Sequence, residues 1–170
     1  VMERRGLDYP ALCELNPKII MVSVSAFGRT SPWSDRPGFD GIAQAFSGMM
    51  HMTGDPTRPP SAVGFAIADS SAAVHGFAAL GYALLHRERT GEGQWVDMSC
   101  SEAGAHMLGP AVLDYTVNGR PTNRPGAPNS NRDATGTMAP HGIYRTEGSD
   151  NWIAISVRDD REWKALAGFI

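Results

Sequence analysis

The sequence predicts an α/β fold: a layered unit of strands and helices, then a linker, then the beginning of a second, smaller module. Three observations carry this. Two short strand-like runs, Lys18–Ser25 and Gln94–Ser99, are separated by long stretches at helical spacing. The composition changes over Arg120–Gly142, which is polar and rich in Pro, Asn and Gly. A hairpin pattern follows that stretch.

Each element has a local reason. "LDYPALCEL" (Leu7–Leu15) fits a short helix, with Asp8 at the N-cap and Pro10 early, where a missing N–H costs little. Asn16-Pro17 stops it. "KIIMVSVS" is a β-branched run of the kind found in a buried parallel strand. "AFGRTSPWSDRPG" (Ala26–Gly38) reads as a loop with Trp33 and two arginines, Arg29 and Arg36. "FDGIAQAFSGMMHMTG" returns to helical spacing, with Gly54 placed to close it. "VGFAIA" is a short apolar segment leading to Asp69, and a helix is expected from Ser70 to Arg89. His86, Arg87 and Arg89 suit the negative end of its dipole, and "TGEG" terminates it. "QWVDMS" is the second strand, and "SEAGAHMLGPAVLDYTVNG" reads as one helix kinked at Pro110. Beyond the linker, Ile143–Thr146 and Trp152–Val157 form the hairpin. "DDREWKALAGFI" starts a helix capped by Asp159 or Asp160.

Composition excludes several functions. The 170 residues are 42% apolar and 19% charged, as in ordinary soluble globular proteins. A net charge of -3 supplies no basic field for nucleic acid. No apolar run approaches the roughly 18 residues of a membrane span, so no membrane partner is expected. Cys13 and Cys100 lack metal-ligand spacing and read as reduced thiols of a cytoplasmic protein. The five histidines form no ligand pattern, and no metal site is expected. Glu102 and His106, four apart, read as a helix-surface pair. There is no phosphate-binding glycine loop, nucleophile elbow or CxxC.

One residue stands out. Asp69 interrupts small and apolar residues immediately before a long helical pattern. Spacing alone reads it as an N-cap. The same place favours an anion, and Ala68, Ser70, Ser71, Ala72 and Ala73 leave room for a bulky substrate. A carboxylate there could serve as a nucleophile in group transfer. The two readings are compatible. Asp40, opening "FDGIAQAF", likewise reads as an N-cap, and Arg29 or Arg36 could hold a phosphate.

Taken in order, "NPKIIMVSVSAFGRTSPWSDRPGFD", "GIAQAFSGMMHMTGDPTRPP", "VGFAIADSSAAVHGFAALGYALLHRERTGEGQWVDMSCSEA" and "MAPHGIYRTEGSDNWIAISVRDDREW" resemble the class III CoA-transferase family, the group of formyl-CoA transferase and of carnitine and bile-acid CoA-transferases. The resemblance covers nearly all of the chain. It implies a Rossmann-like parallel sheet in a large CoA-binding domain (1–118), a linker (119–141) and the beginning of a small domain (142–170). It implies that Asp69 is the catalytic nucleophile, passing through a mixed anhydride and an aspartyl-CoA thioester. It also implies CoA contacts at Pro37, Gly38, Phe39 and Asp40, with Arg36 toward phosphate.

On this resemblance no cofactor is tightly bound. Acyl-CoA is a substrate, a small carboxylic acid is its partner, and the full-length protein is an interlocked homodimer. α-Methylacyl-CoA racemases are similar over the same region but carry a histidine where Phe39 stands here. A phenyl ring cannot move a proton, so transfer is expected over racemisation. A racemase or isomerase of the same fold and a silent CoA-binding domain are the alternatives. Val1 precedes Met2, and the sequence stops within a helical pattern. A piece of a longer chain is therefore expected.

Overall fold

A computed structural model describes residues 2–55, 57–122 and 136–169. Most of the expected linker, 123–135, lies outside the described residues. The chain divides into two compact units: Val1–His51 with Ser61–Pro121, and Met52–Pro60 with Thr122–Ile170.

The first unit is mixed α/β. Helix α1 (Tyr9–Leu15) precedes strand β1 (Ile20–Ser25). Helices α2 (Asp40–Ser47) and α3 (Ile67–Thr90) lead to strand β2 (Gln94–Ser99), and α4 (Cys100–His106) and α5 (Gly109–Asn118) follow. The two strands pair in parallel, from Ile20 opposite Gln94 to Ser25 opposite Ser99. A parallel pair needs a crossover, and α2 with α3 supplies it. Tyr9 of α1 stacks on Trp95 with ring centroids 6.4 Å apart.

α3 buries a stripe of small residues: Ala68, Ala72, Gly76 and Ala83. Four-residue steps keep the first three on one face. A Cβ on Gly76 would meet Val22 and Val24 of β1 at 3.9 Å, so the helix lies close on the strand. Ala68 and Ala72 form a buried cluster with Ala43 of α2 and with Cys100 and Ala103 of α4. Cys100 directly follows β2, so α3 begins at the carboxyl end of the strands. That is the end where open α/β sheets bind ligands.

Three helix boundaries differ from expectation. α3 starts at Ile67, with Ala66 at the N-cap, which places Asp69 at the third helical position. "VGFAIA" forms no strand. α2 closes at Gly48 rather than Gly54. The single helix expected after β2 is two helices, because Pro110 cannot bond the carbonyl four residues back, that of His106, and its ring crowds it. Near the start of α5 the same proline is tolerated.

The second unit contains the expected hairpin. Strands β3 (His141–Arg145) and β4 (Trp152–Ser156) pair antiparallel, with Arg145 opposite Trp152. The Arg145 guanidinium lies 5.3 Å from the centre of the Trp152 ring. α6 (Asp160–Ala167) is capped by Asp159, whose Oδ1 accepts the N–H of Glu162 at 2.9 Å.

Candidate active site

The site is built from α2 outward. Asp40 is the first residue of α2, and Phe39 at the N-cap makes no side-chain cap bond. The Asp40 carboxylate serves another helix instead. Its Oδ1 accepts the N–H of Ala68 at 2.8 Å and of Asp69 at 3.0 Å. These N–H groups belong to the first turn of α3, where no helical carbonyl reaches them. The other oxygen, Oδ2, accepts from Gln44 one turn later. Asp40 therefore caps α3 from a distance.

Gln44 completes the junction. It is 1% exposed and buried between α2 and the segment before α3. Its Oε1 accepts the N–H of Val63 at 2.8 Å, and its Nε2 lies 3.2 Å from the carbonyl of Phe65. A non-helical segment has backbone groups to satisfy, and this amide satisfies two of them.

Asp69 itself is solvent-exposed. Because Asp40 occupies its backbone N–H, its own carboxylate is not spent on capping α3. On the α4 side, Cys100 clusters with Ala68 and Ala72 of the same helix. Cys100 is 5% exposed. Burial, then the nearby Asp69 and Asp40 carboxylates, push its thiol up to about 11. The thiol is protonated at neutral pH.

The loop after β1 is fixed at both ends. Asp97 of β2 accepts the Arg29 N–H at 2.8 Å and the Thr30 N–H at 3.0 Å, and the Thr30 hydroxyl at 3.1 Å. Phe27 and Trp33 pack on Phe46 of α2, with centroids 4.8 Å and 5.0 Å away. Arg36, Pro37 and Phe39 are exposed, the last at 83%. Gly38 is half-buried, and a Cβ there would stand 2.5 Å from that of Ala26. The backbone thus turns from the loop into α2 only with glycine at this position. The loop joins Asp40 through α2, and Asp40 in turn joins Asp69.

Two of the histidines meet elsewhere, between α3 and α4. His75 and His106 meet edge to face at 4.9 Å, and His75 Nδ1 lies 2.8 Å from the carbonyl of Ser71. Among the described residues, no group of three or more His, Cys, Asp or Glu side chains could hold a metal ion. No helix among the described residues is long and apolar enough to cross a membrane.

A family model described as CoA-transferase family III matches residues 1–170. The chain belongs to that family. Among curated relatives of this family III chain, a succinate–glutarate CoA-transferase of Agrobacterium fabrum is 33% identical over 99% of the chain. A succinyl-CoA–D-citramalate CoA-transferase of Chloroflexus aurantiacus is 38% identical over 98% of it. The chain spans 40% of the length of each. A crystal structure of a CAIB/BAIF family protein from Brucella suis superposes with a TM-score of 0.87 at 30% identity, covering 99% of this chain and 42% of that one.

Sequence reasoning singled out Asp69 and Asp40 but not the groups that serve them. Gln44 carried a signal: it stands four residues after Asp40, a spacing that lets two helical side chains meet. Asp97 carried none, since it acts across the strand pair on residues 68 and 67 positions away.

Proposed function

We propose that the protein to which this chain belongs is a CoA-transferase that uses Asp69 as its nucleophile. The observation that carries this reading is an exposed carboxylate on a backbone fixed by Asp40, at the carboxyl end of two parallel strands. An Asp69 oxygen attacks the thioester carbon of an acyl-CoA. The C–S bond breaks, CoA leaves as thiolate, and a mixed anhydride remains. The thiolate then attacks the Asp69 carbonyl carbon, releasing the first carboxylate and leaving an aspartyl-CoA thioester. The acceptor carboxylate attacks that thioester, CoA leaves again, and the thiolate closes the cycle on the acceptor's carbonyl. Asp69 is regenerated with no net proton change. Splitting the exchange into nucleophilic steps preserves the thioester's energy, provided water is excluded.

In this reading the 36–40 turn contacts CoA, with Arg36 toward phosphate and Pro37, Gly38, Phe39 and Asp40 lining the approach. The donor and acceptor are an acyl-CoA and a small carboxylic acid. The names of the relatives make succinyl-CoA with glutarate or citramalate the first pairs to assay. Phe39 supports transfer over racemisation, because it carries no exchangeable proton beside Asp40. The large domain takes 1–118, with a Rossmann-like sheet, and the small domain begins at 142. The working form is a cytoplasmic homodimer of the full-length chain.

The test is trapping on the full-length protein. With acyl-CoA present, borohydride or hydroxylamine yields a modified peptide at Asp69, detected by mass spectrometry and absent in Asp69→Ala. Turnover in Asp69→Ala equal to wild type would overturn the reading.

A further inference from the structure

Asp97, Ser99 and Ser101, at alternate positions from β2 into α4, all bond to the segment that leaves β1. The Ala26 carbonyl accepts the Ser101 N–H at 3.0 Å, the Ser101 hydroxyl at 2.8 Å and the Ser99 hydroxyl at 3.4 Å. The Asp97 carboxylate accepts the N–H groups of Arg29 and Thr30 and the Thr30 hydroxyl. Gly28 turns the chain between these anchors with a φ of 80°, and a Cβ there would stand 3.5 Å from Asp97 Oδ2. Val22 and Val24 of β1 face Gly76 of α3, so by alternation Ser23, and Asp97 in register with it, point to the opposite face. The loop therefore begins on the face away from α3 and crosses the carboxyl edge of the sheet to reach α2, which packs on α3. Its two ends also meet, since Gly38 lies against Ala26. The place where the 36–40 turn emerges is thus set by what holds Ala26–Thr30.

We propose that Asp97 is a positioning residue for CoA binding: its carboxylate anchors the Arg29–Thr30 backbone on the far face of the sheet and so fixes the 36–40 turn that contacts CoA. This rests on the reading of that turn as the CoA contact. Successive backbone N–H groups in a turn form a concavity that takes up an anion. Here the anion comes from within the chain. The Arg29 and Thr30 N–H groups are already filled, so a CoA phosphate is left to the arginine side chains. A loop ordered in advance also spares the binding step the entropy of ordering it.

Asp69 is insulated from this anchor. Asp40, which holds its N–H, belongs to α2. That helix is fixed by its own burial, with Ala43 in the cluster shared with α3 and α4 and Gln44 fully packed. A loosened loop should therefore appear in CoA binding and not in the chemical step at bound substrate. General instability has the opposite signature. An unfolded fraction lowers the apparent kcat and leaves the KM of the remaining molecules where it was.

The experiment uses the full-length protein with Asp97→Ala and Asp97→Asn, read by calorimetric titration with CoA and by turnover. Expected for Asp97→Ala is a Kd for CoA and a KM for acyl-CoA each raised about tenfold, with kcat within about threefold of wild type. Asp97→Asn keeps one acceptor oxygen and recovers most of the affinity. An unchanged Kd in Asp97→Ala overturns the proposal, as does a fall in kcat alone. A Kd that depends on Asp97 in a protein that forms no Asp69 adduct overturns the nucleophile reading while upholding this one. Wild type that does not bind CoA overturns both.

Discussion

The two ends of α3 are finished in opposite ways. At its carboxyl end the cap is local. Gly91 adopts a left-handed φ of 78°, and its N–H returns to the carbonyl of Arg87 at 2.8 Å. At its amino end the N-cap residue, Ala66, makes no side-chain bond, and the cap arrives from Asp40, 28 and 29 residues earlier. The difference bears on function. A local cap at Asp69 would have turned that carboxylate inward, onto the N–H groups of its own helix. With Asp40 doing the capping, Asp69 is free to face solvent. The end of α3 that carries the candidate chemistry is the end stabilised by long-range contacts.

The comparison is broken most directly at Asp40. Asp40→Ala strands the N–H groups of Ala68 and Asp69 and removes an acceptor from Gln44. The expected cost is about 2 kcal/mol in denaturant unfolding, as for losing a strong N-cap with further partners. Turnover of the full-length protein should fall about a hundredfold, since Asp69 loses its backbone anchor. Asp40→Asn keeps an acceptor oxygen and should recover much of the stability. If Asp40→Ala unfolds at the wild-type midpoint, the distant cap contributes nothing and the contrast between the two ends disappears.

Gln44 gives a smaller effect by the same route. Gln44→Leu preserves bulk but leaves the Val63 N–H and the Phe65 carbonyl without this partner. A buried backbone group left unpaired costs about 1–3 kcal/mol. The segment before α3 should become sensitive to limited proteolysis near Phe65, while kcat falls less than in Asp40→Ala. Cleavage rates identical to wild type would show that the segment is held by other contacts.

The same contrast explains what the sequence revealed. Signals closed within a few residues were legible: β2 at Gln94–Ser99, the termination of α3 at "TGEG", the hairpin flanking the Gly148 turn, and Asp159 capping α6. Each rests on a propensity or cap that neighbouring residues decide. The start of α3 was misplaced because its cap lies on another helix, and a run such as "AIADSS" contains a better local candidate in Asp69. The division of the helix after β2 was partly legible, since Pro110 marked the spot but not the full break. Which face of α3 is buried was not legible from its apolar spacing. Val74 and Phe77 are 69% and 79% exposed, and the buried face is the alanine and glycine stripe, with Gly76 close to β1 and Ala68 and Ala72 clustered with α2 and α4. Small residues win there because they let the helix approach the strand, a preference that hydrophobicity does not register. Gln44 was legible only through its four-residue spacing from Asp40; its bonds to Val63 and Phe65 are set by tertiary packing.

The smallest expected effect is at the other end of α3. Gly91→Ala meets no atom within 4 Å of the added Cβ, so only the left-handed backbone resists it. That strain costs about 1 kcal/mol. The last turn of α3, from Arg87 onward, should fray, and amide exchange there should quicken. The Ala68 and Asp69 amides should keep their protection, because Asp40 holds them independently of the helix's far end. kcat should be unchanged. Loss of activity in Gly91→Ala at a temperature where the protein remains folded would mean that the two ends are coupled through the whole helix, and that local and distant caps are not separable in this fold.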